Sequence, residues 1–242
     1  MDLDDKPVGR LLTRREVLVS FGALGLAFLT ACSLPSGAER SSPSAACVVR
    51  PELTEGPYFV DEDLRRSDIR TDPTDGTRKE GLRLDLSFQL MQLGAACEPL
   101  PDARVDVWHC DALGVYSDVS DPNFDTTGKK FLRGYQLTDE RGVARFVTIY
   151  PGWYSGRAVH IHFKVRYGGT GSGVYDFTSQ LFFPDELTDQ VHAQPPYASK
   201  GQRDTRNAQD AIYLQGGDQL LLKPSRAGRS YTASIALALD LS

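Results

Sequence analysis

The pattern of apolar and polar positions along the chain predicts short β-strands rather than helices. Between residues 82 and 90, leucine and phenylalanine alternate with polar residues, as expected of a strand with one buried face. Glycines, prolines and Asp-Gly pairs interrupt the chain between such runs, and no long amphipathic helix stands out. The segments with a strand-like pattern are 82–90, 105–108, 143–149, 159–165, 178–183, 219–222 and 231–239.

Short strands separated by turns predict an all-β fold, an antiparallel β-sandwich. Residues 47–242 are long enough to form one domain with a sizeable core, and they contain no internal repeat. Residues 185–210 lack alternation and are expected to form a loop with short helical turns.

The beginning of the chain has the composition of an export signal. Arg14 and Arg15 precede an apolar run, residues 17–31, that is too short and too rich in glycine to favour a permanent membrane span. A twin arginine before such a run is typical of a twin-arginine signal peptide. We therefore expect residues 1–31 to be a signal peptide and the mature protein to be extracytoplasmic.

Cys32 ends the sequence Leu-Thr-Ala-Cys, which resembles a bacterial lipobox. Cleavage there would leave Cys32 as a lipidated N-terminus that anchors the protein to a membrane. The alternative is an ordinary signal peptide with an incidental cysteine near its cleavage site. Residues 32–46, rich in Ser, Pro, Gly and Ala, are predicted to be a flexible tether.

The net charge limits the kinds of binding partner that are expected, and the cysteines bear on the cellular compartment. The formal net charge is −5, and no arginine- or lysine-rich stripe is present, which argues against nucleic acid as a partner. In an oxidising compartment, two of Cys47, Cys97 and Cys110 are expected to form a disulfide. Their spacing does not decide which two, and it does not fit a structural zinc site.

His160 and His162 are the strongest candidates for chemistry. Residues two apart on a strand point to the same face, so both imidazoles would project together, opposite the apolar face formed by the odd-numbered residues 159–165. Two adjacent imidazoles can chelate a metal ion. Such a pair is more often surface-exposed or hydrogen-bonded, so a metal site needs further ligands. Tyr154 lies close in sequence, and Tyr116 follows the 105–108 strand.

Several segments that contain these residues resemble the intradiol ring-cleavage dioxygenases. The run VDVWHCDAxGxY at 105–116 resembles the first ligand segment of that family, and PGxY at 151–154 with Arg157 and the His-Ile-His sequence resembles the second. The sequences TEGPY at 54–58 and TSQLFF at 178–183 also match family segments. The resemblance extends from about Cys47 to Asp240 and contains four ligand-type residues in order.

The resemblance implies a mononuclear non-haem Fe(III) held by Tyr116, Tyr154, His160 and His162. Anionic phenolate oxygens suit ferric iron, and two imidazoles complete the protein ligand set. The implied reaction cleaves a catechol-type ring with O2 to a cis,cis-muconate-type diacid that contains both oxygen atoms. Tyr154 would be both a ligand and the base that takes a proton from the substrate.

The resemblance also implies roles for three further residues. Arg157 would stabilise negative charge that develops on the substrate, although an ordinary surface ion pair is the alternative. Gln180 matches a glutamine of the family's substrate pocket. Tyr58 is a candidate pocket residue, and a packed turn residue is an equal alternative. His109 and His192 match no ligand and are interpreted as structural or exposed.

The chain departs from the family pattern in two places. Protocatechuate-cleaving members have a longer insertion between the second tyrosine and the first histidine, whereas only residues 155–159 intervene here. The mature chain also lacks room for the helical N-terminal dimerisation segment of catechol-cleaving members. The particular catechol and the oligomeric state therefore stay open.

Two other interpretations compete with the dioxygenase hypothesis. A cupin-like Fe(II) or Mn(II) enzyme also uses a His-x-His pair and would add a carboxylate and another histidine, for which Asp185, Glu186 and His192 are candidates. A non-catalytic exported β-sandwich that binds a ligand is the second alternative, although such a module has no need of all four ligand-type residues together.

Overall fold

The computed structural model describes residues 47–94, 96–168 and 175–241. The predicted signal peptide, the lipidation site at Cys32 and the tether lie outside the described residues. Most of the regular secondary structure of the described chain is β-strand, with little helix, as the alternating pattern predicts. None of its helices is long and apolar enough to cross a membrane.

The structure confirms six of the seven predicted strand segments, with small shifts at their ends. The strands are β1 (Arg83–Gln92), β2 (Glu98–Pro99), β3 (Arg104–Trp108), β4 (Ser120–Asp121), β5 (Phe124–Asp125), β6 (Arg133–Leu137), β7 (Val143–Ile149), β8 (His160–Tyr167), β9 (Tyr175–Phe182), β10 (Ser225–Ala227) and β11 (Ser230–Leu239). The helix α1 spans Asp185–His192, and short 3-10 helices occupy Tyr197–Lys200, Asn207–Gln209, Tyr213–Gln215 and Gly217–Leu220. The 185–210 segment is thus a loop with short helical turns, as expected.

The first sheet is built around β1. Strand β11 pairs with one edge of β1, while β7 and the short β2 pair with different parts of the other edge, and β10 extends the sheet beyond β11. The β1–β11 pair is parallel, so the prediction of a wholly antiparallel sandwich is wrong for this pair. Parallel neighbours need a long crossover connection, and here most of the domain lies between the two strands.

The second sheet carries the candidate metal ligands. Its order is β6-β3-β8-β9, and all its neighbours are antiparallel. The register sets Trp108 of β3 and Gln180 of β9 on either side of His162 in β8. Strand β6 was not predicted, because its sequence Arg-Gly-Tyr-Gln-Leu has only two large apolar residues, and the residues it buries are the arginine and the glycine.

The core lies between the two sheets. The ring of Phe88 in β1 is 5.2 Å from that of Phe163 in β8 and 6.0 Å from that of Phe146 in β7. Burial of one such side chain contributes about 2 kcal/mol. The predicted apolar face of the 159–165 segment is confirmed, since its odd-numbered residues are almost fully buried against this core: Val159, which precedes β8, and Ile161, Phe163 and Val165 within it.

The opposite face of β8 is buried as well, because residues 53–66 cross over it. Ion pairs hold this segment in place: Glu55 lies 2.6 Å from the ammonium of Lys164, and Asp61 lies 2.5 Å from the guanidinium of Arg166. The ring of Phe59 packs 4.8 Å from that of Trp108. His160 and His162 therefore lie in a covered layer rather than on an exposed surface.

The cysteine pairing that the sequence left open is Cys47 with Cys97, and Cys110 is a free, buried thiol. The disulfide joins the beginning of the described chain to the connection between β1 and β2.

The predicted strand at 219–222 is wrong. The chain there forms the 3-10 helix Gly217–Leu220, and Leu221 makes only an isolated bridge to Phe182 of β9. Gly216 has a φ of +125°, and a Cβ on Gly217 would lie 2.5 Å from the ring of Tyr213. The glycine pair thus turns the chain tightly, while Leu220 is buried in the core without being part of a strand.

Candidate active site

The imidazoles of His160 and His162 lie side by side in the buried layer. Their exposed fractions are 2% and 1%, and their Nε2 atoms are 3.0 Å apart. The Nδ1 of His160 lies 2.6 Å from the carbonyl oxygen of Ala158. Because a carbonyl only accepts, Nδ1 carries the proton and the Nε2 lone pair faces the partner histidine. Burial, followed by the positive charge of Arg157, lowers the pKa of both imidazoles well below the ordinary range, so both are neutral.

Tyr154 completes one side of this group. Its hydroxyl lies 3.1 Å from the Nε2 of His160 and donates to it. Burial raises the pKa of the phenol to about 12, although the nearby charge of Arg157 opposes this shift. The side chain is partly exposed, in contrast to the two histidines.

Tyr116 completes the other side. Its ring meets those of Tyr154 and His162 edge to face, with centroids 5.7 Å and 6.2 Å away. The side chain is 1% exposed, and its hydroxyl makes no hydrogen bond of ordinary geometry within the described residues, although the hydroxyl of Tyr154 lies nearby. Burial raises the pKa of this phenol well above its ordinary value. A buried hydroxyl without a partner costs about 1–3 kcal/mol, so this position is unfavourable unless something binds the oxygen.

The loops that carry the two tyrosines are joined through Asp111. Its backbone oxygen accepts from the N–H groups of Gly114 and Gly152, each at 3.0 Å, and its carboxylate accepts from the N–H of Val115. Gly114 has a φ of +81°, and a Cβ there would lie 2.1 Å from the carbonyl oxygen of Trp153. The Asp-x-x-Gly spacing in the sequence thus brings the two tyrosine loops into contact.

These donors fit a metal ion of high charge. Two neutral imidazole nitrogens and two phenol oxygens converge, and a bound cation would lower the pKa of each phenol and give the hydroxyl of Tyr116 a partner. In the part of the chain that the structure describes, no three His, Cys, Asp or Glu side chains form a metal-binding group. The cupin-like alternative is therefore not supported: His192 bonds to the carbonyl oxygen of Pro151, and Asp185 pairs with Arg203.

Arg157 lies beside the four donors, but it is not the surface ion pair of the alternative interpretation. Its Nε donates to Asp210 at 3.0 Å, and Nη2 donates to the Oε1 of Gln180 at 2.5 Å. Asp210 and Gln180 are fully buried. Gln180 in turn donates to the backbone oxygen of Thr54 at 2.8 Å, so it connects Arg157 to the segment that covers β8.

Tyr58 packs directly against the predicted ligands. Its ring stacks on that of Tyr116 with centroids 4.4 Å apart and an angle of 24°, and it meets Tyr154 edge to face at 6.1 Å. Its hydroxyl donates to the Oδ2 of Asp121 at 2.8 Å. The structure thus brings together all seven predicted site residues.

Three neighbours were missed by the sequence analysis. Asp210 lies in the stretch without alternation, where nothing distinguished it from the other acids. Trp108 stacks on His162 with ring centroids 4.9 Å apart, and the sequence pattern alone assigned it only to a strand. Gly56 approaches the same histidine so closely that a Cβ would lie 3.2 Å from Cε1.

The other two histidines are structural, as interpreted. His109 is buried, with Nε2 2.6 Å from the hydroxyl of Thr148, and burial lowers its pKa to about 4. His192 stacks on the ring of Tyr197 at 5.1 Å.

Comparison with known proteins relates this site to a family. A family model described as "Dioxygenase" matches residues 54–204, which include Tyr58, Gln180 and the four candidate ligands but not Asp210. Catechol 1,2-dioxygenase of Acinetobacter baylyi is 34% identical over 107 residues, which are 43% of this chain and 32% of that protein. Chlorocatechol 1,2-dioxygenase of Pseudomonas putida is 27% identical over 174 residues, 64% of this chain and 60% of that protein.

The matched part of the chain therefore spans about a third of the length of the catechol 1,2-dioxygenase and about three fifths of the length of the chlorocatechol 1,2-dioxygenase. Among solved structures, an intradiol ring-cleavage dioxygenase from Tetranychus urticae superposes with a TM-score of 0.71 and 28% identity, covering 81% of this chain and 96% of that one. The family model extends over more than half of the chain, and the described sheets follow the same fold as this neighbour. The chain therefore belongs to the intradiol ring-cleavage dioxygenase family.

Proposed function

We propose that this protein is an Fe(III)-dependent intradiol dioxygenase that cleaves a catechol-type ring with O2 to a cis,cis-muconate-type diacid. One observation carries the proposal: Tyr116, Tyr154, His160 and His162 converge in a layer where the hydroxyl of Tyr116 lacks any other partner among the described residues. Two phenolates and two imidazoles form a donor set suited to ferric iron. The names of the curated relatives support a catechol as the substrate class.

The iron would draw electron density from a bound catecholate and so make its ring reactive toward O2. The four donors would hold the ion through two loops and one strand. Trp108 stacks on His162, and the hydrogen bond from His160 to the carbonyl of Ala158 fixes the tautomer, so both imidazoles are oriented before an ion binds.

Tyr154 is suited to be the base. It is more exposed than Tyr116, and its phenol pKa is raised to about 12, so its phenolate would readily take and keep a proton from a catechol hydroxyl. Tyr116 has no comparable route to solvent and would remain a ligand.

Arg157 would stabilise negative charge on the substrate. The bonds to Asp210 and Gln180 hold its guanidinium next to Tyr154, in a region partly shielded from water. A fixed positive charge in such a region stabilises developing negative charge more than a mobile surface arginine does. The Gln180 side chain positions the guanidinium rather than meeting solvent, since it is fully buried.

Aerobic turnover of catechol by the iron-loaded protein tests the proposal. We expect the uptake of one O2 per catechol and an ultraviolet absorbance of a muconate-type product, without the yellow semialdehyde of extradiol cleavage. The matched controls are Tyr154→Phe, which removes a proposed ligand and base, and Tyr167→Phe, which changes a tyrosine at the far end of β8. No product from any catechol in the wild type would refute the function, and turnover that survives in Tyr154→Phe would refute the role of Tyr154 as ligand and base.

We also propose that the protein is exported by the twin-arginine route and held at a membrane through Cys32. The Cys47–Cys97 disulfide supports an oxidising compartment, where such bonds persist. Twin-arginine export of an already folded protein would allow iron to be loaded before this bond forms. Replacing both Arg14 and Arg15 by lysine should retain the protein in the cytoplasm, and active enzyme outside the cytoplasm in that variant would contradict the route.

A further inference from the structure

The candidate active site has one buried side and one open side. Tyr116, His160 and His162 are at most 2% exposed, whereas Tyr58, Tyr154 and Arg157 are partly exposed. A catechol whose two hydroxyls face the donors must therefore enter past the second group. The ring positions opposite the hydroxyls, where substituents occur, then point toward this open side.

Tyr58 connects the open side to the hairpin formed by β4 and β5. Its ring is stacked on Tyr116, and its hydroxyl donates to the Oδ2 of Asp121. The Oδ1 of Asp121 accepts from the backbone N–H of Asn123 at 2.8 Å and from its side chain at 3.0 Å. These bonds lower the pKa of the carboxyl, so Asp121 is ionised at neutral pH.

Nothing among the described residues neutralises this carboxylate. The two lysines that follow the hairpin bind other acids: Lys129 lies 2.7 Å from Asp75, and Lys130 pairs with Glu62. Arg157 pairs with Asp210. None of the ion pairs of the described chain includes Asp121, and it remains a fixed negative charge next to Tyr58.

We infer that Asp121, through its hydrogen bond with Tyr58, makes the open side of the site selective against catechols with an anionic ring substituent and favourable to those with an uncharged, hydrogen-bonding one. The inference rests on the proposed function, because it assigns the substrate class of the same site. A carboxylate on the ring would approach Asp121 with like charge, whereas the hydroxyl oxygen of Tyr58, whose proton is donated to Asp121, can accept a hydrogen bond from a neutral substituent.

The test compares two substrates of nearly equal shape, 3,4-dihydroxybenzoate and 3,4-dihydroxybenzamide, with catechol as the reference. The iron-loaded full chain is studied as wild type, Asp121→Asn and Asp125→Asn. Asparagine keeps the size of the side chain and one acceptor oxygen, so it isolates the charge. Asp125 is the matched control, since it lies on the same hairpin, is exposed and accepts hydrogen bonds on its carboxylate from Thr127.

We expect the wild type to prefer the amide over the carboxylate in kcat/KM and in the dissociation constant measured under nitrogen. This amide-to-carboxylate ratio should fall about threefold in Asp121→Asn and stay unchanged in Asp125→Asn. It should also fall in the wild type as NaCl is raised from about 0.02 M to about 0.5 M, which tests the inference even if Asp121→Asn does not fold.

Two results would overturn the inference: a wild type that prefers the carboxylate, or a ratio that neither the Asp121→Asn change nor salt alters. Failure of the proposed function would appear differently, as no cleavage of any of the three compounds, catechol included. In that event the ratio of the dissociation constants still decides whether the opening discriminates by charge.

Discussion

Asp210 and Arg157 form an ion pair in which the Asp210 side chain is fully buried and the Arg157 side chain is 18% exposed. The Oδ2 of Asp210 also accepts from the backbone N–H of Ala158 at 2.7 Å, and the carbonyl of Ala158 accepts from His160. Oδ1 accepts from the N–H groups of Ile212 and Tyr213. One buried carboxylate thus positions both the candidate catalytic arginine and the segment that orients a candidate ligand.

We predict that Asp210→Asn destabilises the protein by about 2 kcal/mol, since hydrogen bonds to a charged group are worth more than neutral ones. It should also lower kcat/KM for catechol at least about 10-fold, because Arg157 loses its fixed position. Urea unfolding and oxygen uptake measure the two effects. The control Asp85→Asn breaks an ion pair with Arg83 in which both side chains are accessible to solvent, and it should cost under about 0.5 kcal/mol. Equal effects of the two substitutions would contradict the positioning role.

The buried hydroxyl of Tyr116 predicts that a substitution can stabilise the iron-free protein. In the iron-free protein, Tyr116→Phe should raise the free energy of unfolding by about 1 kcal/mol, because it removes a buried polar group that has no hydrogen bond. Tyr150→Phe is the matched control: this tyrosine is also fully buried, but its hydroxyl lies 2.7 Å from that of Thr188, so its loss should cost about 1 kcal/mol. If both variants are destabilised by the same amount, the Tyr116 hydroxyl already has a favourable interaction in the iron-free protein, which contradicts this account.

The close contact between the tyrosine loops predicts a difference between two glycines of similar backbone conformation. Gly114 and Gly128 have φ values of +81° and +82°, but a Cβ on Gly114 would overlap Trp153, whereas nothing lies within 4 Å of one on Gly128. Gly128→Ala should therefore cost about 1 kcal/mol, from backbone strain alone. Gly114→Ala should cost about 2 kcal/mol more and reduce iron content, since Tyr116 and Tyr154 must separate. Similar losses in thermal unfolding and iron content would contradict this account.

The buried His109 predicts a loss of stability in acid. Its pKa is lowered from 6.5 to about 4, so below pH 6.5 the unfolded chain binds a proton that the folded chain does not. The contribution of His109 is complete above pH 6.5 and decreases as the pH falls toward 4, by about 3 kcal/mol in total. The other buried histidines add to this slope. The measurement is the free energy of unfolding by urea for iron-free wild type and His109→Gln between pH 7 and pH 5. We expect the wild type to take up about one proton more on unfolding than the variant, so its stability should depend more steeply on pH. An unchanged slope would show that His109 titrates normally.

The sequence predicted most of the site because its residues lie in local patterns. Alternation on β8 fixed which residues join the core and which face the site, and the resemblance supplied the two tyrosines. Asp210 was not predicted because its role depends on a loop that returns to Arg157 from 53 residues further along the chain, and acidic residues in loops carry no periodic signal. The same reason explains the wrong strand at 219–222, where three leucines contact the core from a tight turn rather than from an extended segment.

The visible spectrum of the protein loaded with Fe(III) tests the central claim most directly. If Tyr116 and Tyr154 both bind ferric iron, one iron per chain should produce a strong phenolate-to-iron charge-transfer band that weakens in Tyr116→Phe and in Tyr154→Phe but not in Tyr150→Phe. A colourless iron-loaded protein, or a band that neither substitution at Tyr116 nor at Tyr154 alters, would contradict the convergence of the four donors on a single ion.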